Sequence, residues 1–187
     1  MLPSARILSF WFGREDAPRS AWFDADATFD AEVRDQFEGV LHEALRGSFV
    51  PHLLKRDDRL ALVVLTDQMP RNMYRGTKEA FVGEEVALAC AKQMIASGQD
   101  EKLPAVRRMF VYLPFEHAED IRLQGQSLLL FRKLAAESKD MQPALEAALK
   151  HYEAIAKFGR FPQRNTILRR RSSNAEVAFL ASAEAAF

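Results

Sequence analysis

The sequence predicts an all-α protein of about eight helices, stacked as antiparallel hairpins in a single domain over residues 1–187. Apolar residues recur at spacings of three and four along most of the chain, as they do on one face of an amphipathic helix. Strand signals, which would alternate apolar and polar residues, are nearly absent. The connections between helical stretches are short, which favours neighbouring helices that run antiparallel.

Three of the predicted helices are amphipathic, and a glycine or a cap marks one end of each. Ser173 is followed by Glu176 three residues later, a capping box that predicts a helix beginning there. Leu149, Val177 and Leu180 are among the residues predicted to face inward. The other two amphipathic helices span residues 26–46, before Gly47, and residues 142–158, before Gly159.

The remaining helices are predicted to be shorter or more buried. Residues 59–68 contain an uninterrupted apolar run after Asp57 and Asp58, the predicted N-cap, and a helix that is apolar on every side is normally central. Ile121 is predicted to face inward on a later helix. The other helices are predicted over residues 4–12, 84–97, 104–112 and 118–136, and the third of these is expected to break at Pro114.

Composition and charge argue against several classes of function. The chain carries 26 Lys and Arg against 26 Asp and Glu, and a net charge of zero disfavours nucleic acid or an anionic membrane as a partner. The apolar run at residues 60–65 is far shorter than the roughly 20 residues that cross a bilayer. A lone cysteine, Cys90, is typical of a reducing compartment. With no targeting segment evident, we expect a cytoplasmic protein.

Polar residues concentrate beside a proline at three helix boundaries. Asp67 and Arg71 are unfavourable neighbours for an apolar helix unless they are paired, so we expect the charges at these boundaries to find one another. Glu116 and Asp120 are four residues apart and would share one helix face, where like charges repel, if the helix has already begun there. The three boundaries are residues 67–76, 112–124 and 151–165.

Four motifs lie at the first helix and at these boundaries. They are FWFG at residues 10–13, LTDQMPRN at 65–72, YLPFEH at 112–117 and FGRFPQRN at 158–165, the last preceded by His151. Together they resemble one bacterial family, domain of unknown function 924, and the resemblance covers nearly the whole chain. It implies a tetratricopeptide-like stack of helix pairs and brings no activity, substrate or cofactor.

The resemblance also implies which polar positions belong together, and the chain departs from it at three places. Met69 stands where the family usually has phenylalanine. Gln163 stands where it often has histidine, which weakens any metal site that relied on that ligand. Arg169 stands where it usually has glycine, before Arg170. The polar positions fall on Asp67, Gln68, Arg71, Asn72, Glu116, His117, Glu119, Asp120, His151, Arg160, Arg164 and Asn165.

The best functional signal is the stretch 157–175, which contains six lysine and arginine residues and no acidic residue. It reaches the start of a helix, where backbone N–H groups favour anions. The first hypothesis is therefore a polar cavity, lined by arginine and carboxylate side chains, that binds a small anionic ligand or an acidic peptide. Its predicted ligand-binding residues are Asp67, Arg71, Asn72, Asp120, His151, Arg160, Arg164 and Asn165.

A second hypothesis is an uncharacterised hydrolase or transferase in which Glu116 and His117 transfer protons. Against it, neighbours on a helix point about 100° apart and do not easily share one substrate atom. Glu116 and His117, with Asp120 and His151, also contain the residue types of a metal site. They lack the compact spacings of known metal motifs, so neither a metal nor a cofactor is predicted.

A third hypothesis is a structural network of ion pairs that ties helix ends together and binds no ligand. In this interpretation Arg160 and Arg164 pair with Glu116, Glu119 or Asp67, whereas residues 169–171 face water, as most charge runs do. The sequence leaves all three hypotheses open because the distances between the boundaries decide among them.

Overall fold

The computed structural model describes residues 1–13, 19–49 and 55–182. All regular structure in these ranges is helical, which confirms the all-α prediction. The chain forms two compact units, a first unit of Met1–Pro114 and a second unit of Phe115–Phe187. The single domain over residues 1–187 and the tetratricopeptide-like stacking stay predictions.

The first unit is built from helices that pack two apart along the chain. α1 lies on α3, α2 on α4, and α3 on α5. A π-helical turn, Val64–Gln68, joins α3 to α4 without a break. If α3 and α4 are counted as one continuous helix, the described residues contain the predicted eight helices. The helices are α1 Ser4–Phe12, α2 Ala27–Leu45, α3 Arg56–Val63, α4 Met69–Met73, α5 Glu84–Ala96 and α6 Ala105–Glu116, whose last two residues fall in the second unit.

The apolar helix α3 is central, as predicted. Residues 60–65 have no solvent exposure, so burial of this run holds the helix in place. Lys55 is the N-cap, not Asp57 and Asp58, which lie in the first turn where the positive end of the helix dipole favours carboxylates. The helix also continues past Gln68, its predicted end, because the π turn accommodates the polar residues while the helical backbone stays continuous.

The second unit is a helical hairpin, α7 (Ile121–Glu137) packed on α8 (Gln142–Phe158), followed by the short helix α9 (Asn174–Leu180). The predicted capping box of α9 is present: Ser173 Oγ accepts from the Glu176 N–H at 3.3 Å, and Glu176 Oε2 accepts from the Ser173 N–H at 2.6 Å. No helix in the described ranges of the chain has the length and apolar composition needed to cross a membrane.

Two helix boundaries between α6 and α7 differ from the prediction. α6 continues through Pro114 to Glu116, because Leu113 and Phe115 are buried and their packing outweighs the hydrogen bond that proline removes. α7 begins at Ile121, and the Asp120 carboxylate caps it, accepting from the N–H groups of residues 122 and 123 at 2.8 and 3.4 Å. Glu116 ends α6 and Asp120 caps α7, so the two carboxylates do not share a helix, and the condition under which they would share one face is not met.

Four apolar residues predicted to face inward are exposed. All of them lie in the second unit, where the helices pack through a narrower apolar face than the spacing predicts. The core of this part of the chain instead contains Ala154, Ile155, Phe161 and Phe179. The exposed residues are Ile121, Leu149, Val177 and Leu180.

Arg169 has a φ of 54°, the left-handed region that favours glycine, at the position where the family usually has glycine. We expect Arg169→Gly to raise the free energy of unfolding by about 1 kcal/mol, because it removes the contact between Cβ and the following carbonyl oxygen. Urea unfolding measures the change. Arg171→Gly, at an exposed neighbour without a positive φ, is the control and should destabilise slightly. A loss of stability in Arg169→Gly would contradict the prediction.

Candidate functional site

The predicted ligand-binding residues of α4 are held by carboxylates of the first unit. Arg71 Nη2 donates to Glu84 Oε1 at 2.5 Å, and its guanidinium stacks on the Phe81 ring. Asn72 Nδ2 donates to Asp30 Oδ1 at 2.8 Å. These contacts tie α4 to α5 and to α2, so Arg71 and Asn72 have structural partners.

Asp30 accepts the hydrogen bonds that connect α2 to α4 and to the residues just after it. Arg75 donates to both of its carboxylate oxygens, at 2.9 and 3.0 Å, in the bidentate geometry that arginine favours. Burial alone would raise the pKa of Asp30, but the hydrogen bonds from Arg75 and Asn72 outweigh it and lower that pKa. The carboxylate is therefore charged in the neutral range and fixed in place.

Asp67 and Gln68 lie on the π turn and are buried. Asp67 has no exposed surface, and the Gln68 amide nitrogen donates to its carboxylate. π turns widen a helix locally and recur at functional sites. This turn brings two polar side chains into an otherwise apolar rod.

In the second unit, Asp120 caps α7 and pairs with its neighbour. Arg122 Nη2 donates to Asp120 Oδ2 at 2.9 Å, and this contact, with the backbone N–H of Arg122, lowers the pKa of Asp120 to about 2. Both roles are local to the start of α7, so the structure gives Asp120 a capping function.

Two arginines of the basic stretch form bidentate pairs. Arg160 donates to both oxygens of Glu176, at 2.7 and 2.9 Å. Together with the N–H of Ser173, Arg160 holds the pKa of Glu176 well below its usual range. Arg170 donates to both oxygens of Glu119, at 2.6 and 2.9 Å, so the interpretation that residues 169–171 all face water is wrong at Arg170.

Asn165 and the chain around Phe161 complete this loop. Asn165 is fully buried, donates to Ser172 Oγ at 3.0 Å and accepts from Arg170 Nε at 3.0 Å. Arg170 also donates to the Phe161 carbonyl oxygen at 3.0 Å, and the Phe161 N–H donates to Glu119 at 2.7 Å. The loop is closed by its own hydrogen bonds, which favours a structural role for Asn165.

The remaining predicted residues of the second unit meet in what we call the histidine cluster, namely Glu116, His117, His151 and Arg164. His151 Nδ1 lies 3.2 Å from Glu116 Oε1, and the two imidazole rings have centroids 6.3 Å apart. Arg164 Nη2 donates to the His117 carbonyl oxygen at 2.9 Å. The Phe161 ring packs against both the Arg164 guanidinium, at 4.8 Å, and the edge of His151, at 5.4 Å.

The contacts of His151 determine its tautomer. Nδ1 lies 2.9 Å from the Ala147 carbonyl oxygen as well as 3.2 Å from the Glu116 carboxylate. Both neighbours are acceptors, so Nδ1 carries the hydrogen and Nε2 carries the lone pair of the neutral ring. A carboxylate that orients a histidine in this way is the arrangement of acid–base dyads. Glu116 thus contacts His151, a pairing that the second hypothesis from the sequence did not include.

Gln124 and Ser127 on α7 are fully buried, and the sequence assigns neither of them a role. Gln124 Nε2 donates to the carbonyl oxygens of Glu116 and Ala118, at 2.5 and 2.8 Å. It thereby satisfies the Glu116 carbonyl, one of those that the end of α6 leaves without a helical partner, and the Ala118 carbonyl two residues later. The only sequence signal for Gln124 is its place at the end of the second polar boundary, and Ser127 has none.

Comparison with known proteins agrees with the motifs. Residues 7–184 match a family described as bacterial protein of unknown function, DUF924. The chain belongs to this family. It is also similar to the solved structure of a protein of unknown function from Agrobacterium tumefaciens, with 35% identity, a TM-score of 0.86, and coverage of 95% of this chain and 96% of the other. No curated protein matches.

As a DUF924 protein, the chain departs from its family at two positions that the structure describes further. Met69 is fully buried, so its side chain takes a core position of the π-turn region. Gln163 replaces a possible histidine ligand. Among the residues that the structure describes, no three His, Cys, Asp or Glu side chains form a group that could hold a metal ion.

Proposed function

We propose that the DUF924 chain binds a small anionic ligand at the histidine cluster of its second unit. The His151 imidazole contacts the Glu116 carboxylate, the His117 ring lies 6.3 Å from that of His151, and the Arg164 guanidinium donates to the His117 carbonyl oxygen; this composition is the observation that supports the proposal. The four groups sum to zero charge when both imidazoles are neutral and become positive once either is protonated. A carboxylate or phosphate group is the natural counterion.

The other arginines of the basic stretch support a small ligand over an acidic peptide. Arg160 and Arg170 each donate two hydrogen bonds to one carboxylate of the second unit. A long acidic peptide would need several cationic partners in a row. We also infer a cytoplasmic location, supported by the single cysteine of the chain, since a reducing compartment leaves thiols unpaired.

The test is a titration of isotope-labelled protein with phosphate, sulfate, acetate and citrate, followed by NMR. We expect at least one anion to shift the amide signals around residues 116, 117 and 151. Histidines as a class lose their charge between about pH 5 and 8, so affinity should fall about tenfold from about pH 6 to about pH 8. His151→Gln should abolish most of the binding.

The matched control is His42→Gln, the same substitution at an exposed histidine on α2 of the first unit. It should leave affinity and its pH dependence unchanged. If no anion shifts any signal at either pH, or if His42→Gln has the effect expected of His151→Gln, the proposal fails.

A second candidate function is acid–base catalysis, which the tautomer of His151 favours. With Nδ1 directed at Glu116 and Ala147, Nε2 is the atom that would accept or donate a proton. Under this hypothesis Glu116 orients the ring and stabilises its protonated form, and His117 is not the proton carrier. Histidine-selective NMR distinguishes it, because Glu116→Gln should change the protonation equilibrium of His151 and leave that of His42 unaltered.

A further inference from the structure

Gln124 and Ser127 are two buried polar residues one helical turn apart on α7, and Gln124 contacts the backbone of the histidine cluster. Both side chains have no exposed surface. Within the described part of the chain, neither Gln124 Oε1 nor Ser127 Oγ has a hydrogen-bond partner. Buried polar atoms without partners are strongly unfavourable and rare in folded proteins, so two on one helix face call for a physical cause.

The orientation of the Gln124 amide follows from its own contacts. Nε2 donates to the carbonyl oxygens of Glu116 and Ala118. If the amide were turned over, Oε1 would face these two acceptors and both hydrogen bonds would be lost. Oε1 is therefore directed away from the end of α6 as an acceptor that needs a donor.

We propose that Gln124 Oε1 and Ser127 Oγ form a hydroxyl subsite of the anion site, and that the ligand is a small hydroxy acid. This inference rests on the proposed function. A hydroxyl group donates one hydrogen bond and accepts another, so it satisfies Gln124 Oε1, an acceptor, and Ser127 Oγ, which also donates. A carboxylate has no hydrogen to give Gln124, and an ammonium would add positive charge beside Arg164.

The hydroxyl subsite and the subsite for the acid group lie at the same turn of the chain. The Gln124 amide contacts the backbone of Glu116 and Ala118, the residues on either side of His117. The hydroxyl would therefore bind within a few bonds of the acid group. Because both side chains are buried, the hydroxyl enters only when neighbouring side chains move, and once bound it is shielded from water, which strengthens its hydrogen bonds.

Matched pairs of acids test the subsite: acetate against glycolate, and propionate against lactate, each titrated into the full chain and followed by NMR. We expect the hydroxy acid of each pair to bind about tenfold more tightly, as the loss of a buried hydrogen bond implies. Ser127→Ala should reduce this preference severalfold, measured as the ratio of the two affinities within each pair. Ser97→Ala, an exposed serine on the first unit, is the control.

The outcomes separate the two proposals. If the acids bind but each pair binds equally, the two atoms hold water only and the hydroxyl subsite is refuted, whereas the anion site stands. If the preference survives in Ser127→Ala, Ser127 is not part of the subsite and the inference is overturned. If none of the four acids binds, the proposed function fails and this inference fails with it.

Discussion

Gly83→Ala should lower the free energy of unfolding by about 3 kcal/mol or more. A Cβ added at Gly83 would lie 2.1 Å from the Thr66 carbonyl oxygen and within 2.9 Å of the Thr66 Cα. Both contacts are with backbone, so no side-chain rotation relieves them. Either α5 must move away from the π turn or the backbone of the turn must change its conformation. In either case contacts between buried atoms are lost. Urea unfolding, together with a thermal melt, measures the effect.

Gly39→Ala is the matched control for this prediction. Gly39 lies inside α2, and an added Cβ there meets no atom within 4 Å. Alanine is favoured over glycine inside a helix, so this variant should be about 0.5–1 kcal/mol more stable than the wild type. If Gly83→Ala and Gly39→Ala change the free energy of unfolding in the same way, the close approach of Gly83 to Thr66 does not stabilise the π turn.

The Gly83 contact also connects the fold to the polar residues of α3 and α4. Thr66 precedes Asp67 and Gln68, which are buried on the same turn. Glycine at position 83 allows α5 to touch the backbone of the turn directly. The widened turn, with its two buried polar side chains, is therefore supported from outside the helix that contains it.

Periodicity predicted the helices well because it reports which face of each helix is buried. It could not predict the π turn at residues 64–68, since an extra residue in one turn changes the spacing too little to be seen in an apolar run. It also missed the last turn of α6, where Pro114 is a strong local signal to stop. There the burial of Phe115, a tertiary effect, outweighs the local preference.

The site was predictable in its residue types and not in its pairings. Polar side chains beside prolines marked the end of α6, where Glu116 lies, and the turn after α8 that contains Arg164, whereas His151 lies in the middle of α8. The partner of each charge depends on which helices meet, and the sequence offered the adjacent residues Glu116 and His117 as one hypothesis without showing that Glu116 contacts His151. Arg160 shows the same limit: the interpretation that pairs it with Glu116, Glu119 or Asp67 is wrong, because its partner is Glu176 in the capping box of α9.

Glu119→Gln should destabilise the second unit by about 2 kcal/mol, a fall in melting temperature of roughly 4–8 °C. Glu119 accepts two hydrogen bonds from Arg170 and one from the Phe161 N–H. Glutamine keeps one acceptor but sets an N–H₂ group against the guanidinium, so Arg170 loses its counterion. Glu153→Gln, on the exposed face of α8, should change stability by less than about 0.5 kcal/mol.

The effect of Glu119→Gln should depend on pH in one direction. Burial raises the pKa of Glu119, but Arg170 and the Phe161 N–H outweigh it and lower that pKa. Its carboxylate therefore stabilises the fold fully above about pH 4.3, the value for an unfolded chain, and loses this contribution as pH falls through the folded pKa. The difference between wild type and variant should accordingly shrink in acid, and a difference that grows there would contradict the assignment.

Glu116→Gln, measured beside it, separates a structural carboxylate from one kept for a ligand. Glutamine can still accept from His151 Nδ1, so we expect a much smaller loss of stability than in Glu119→Gln, or a gain. A fall of about 3–5 kcal/mol, as for a broken buried ion pair, would mean that the histidine cluster mainly ties helix ends together. A small loss of stability together with weaker anion binding would instead assign the Glu116 carboxylate to the ligand site. In that case the fold does not need the buried charge, so a functional role is what explains it.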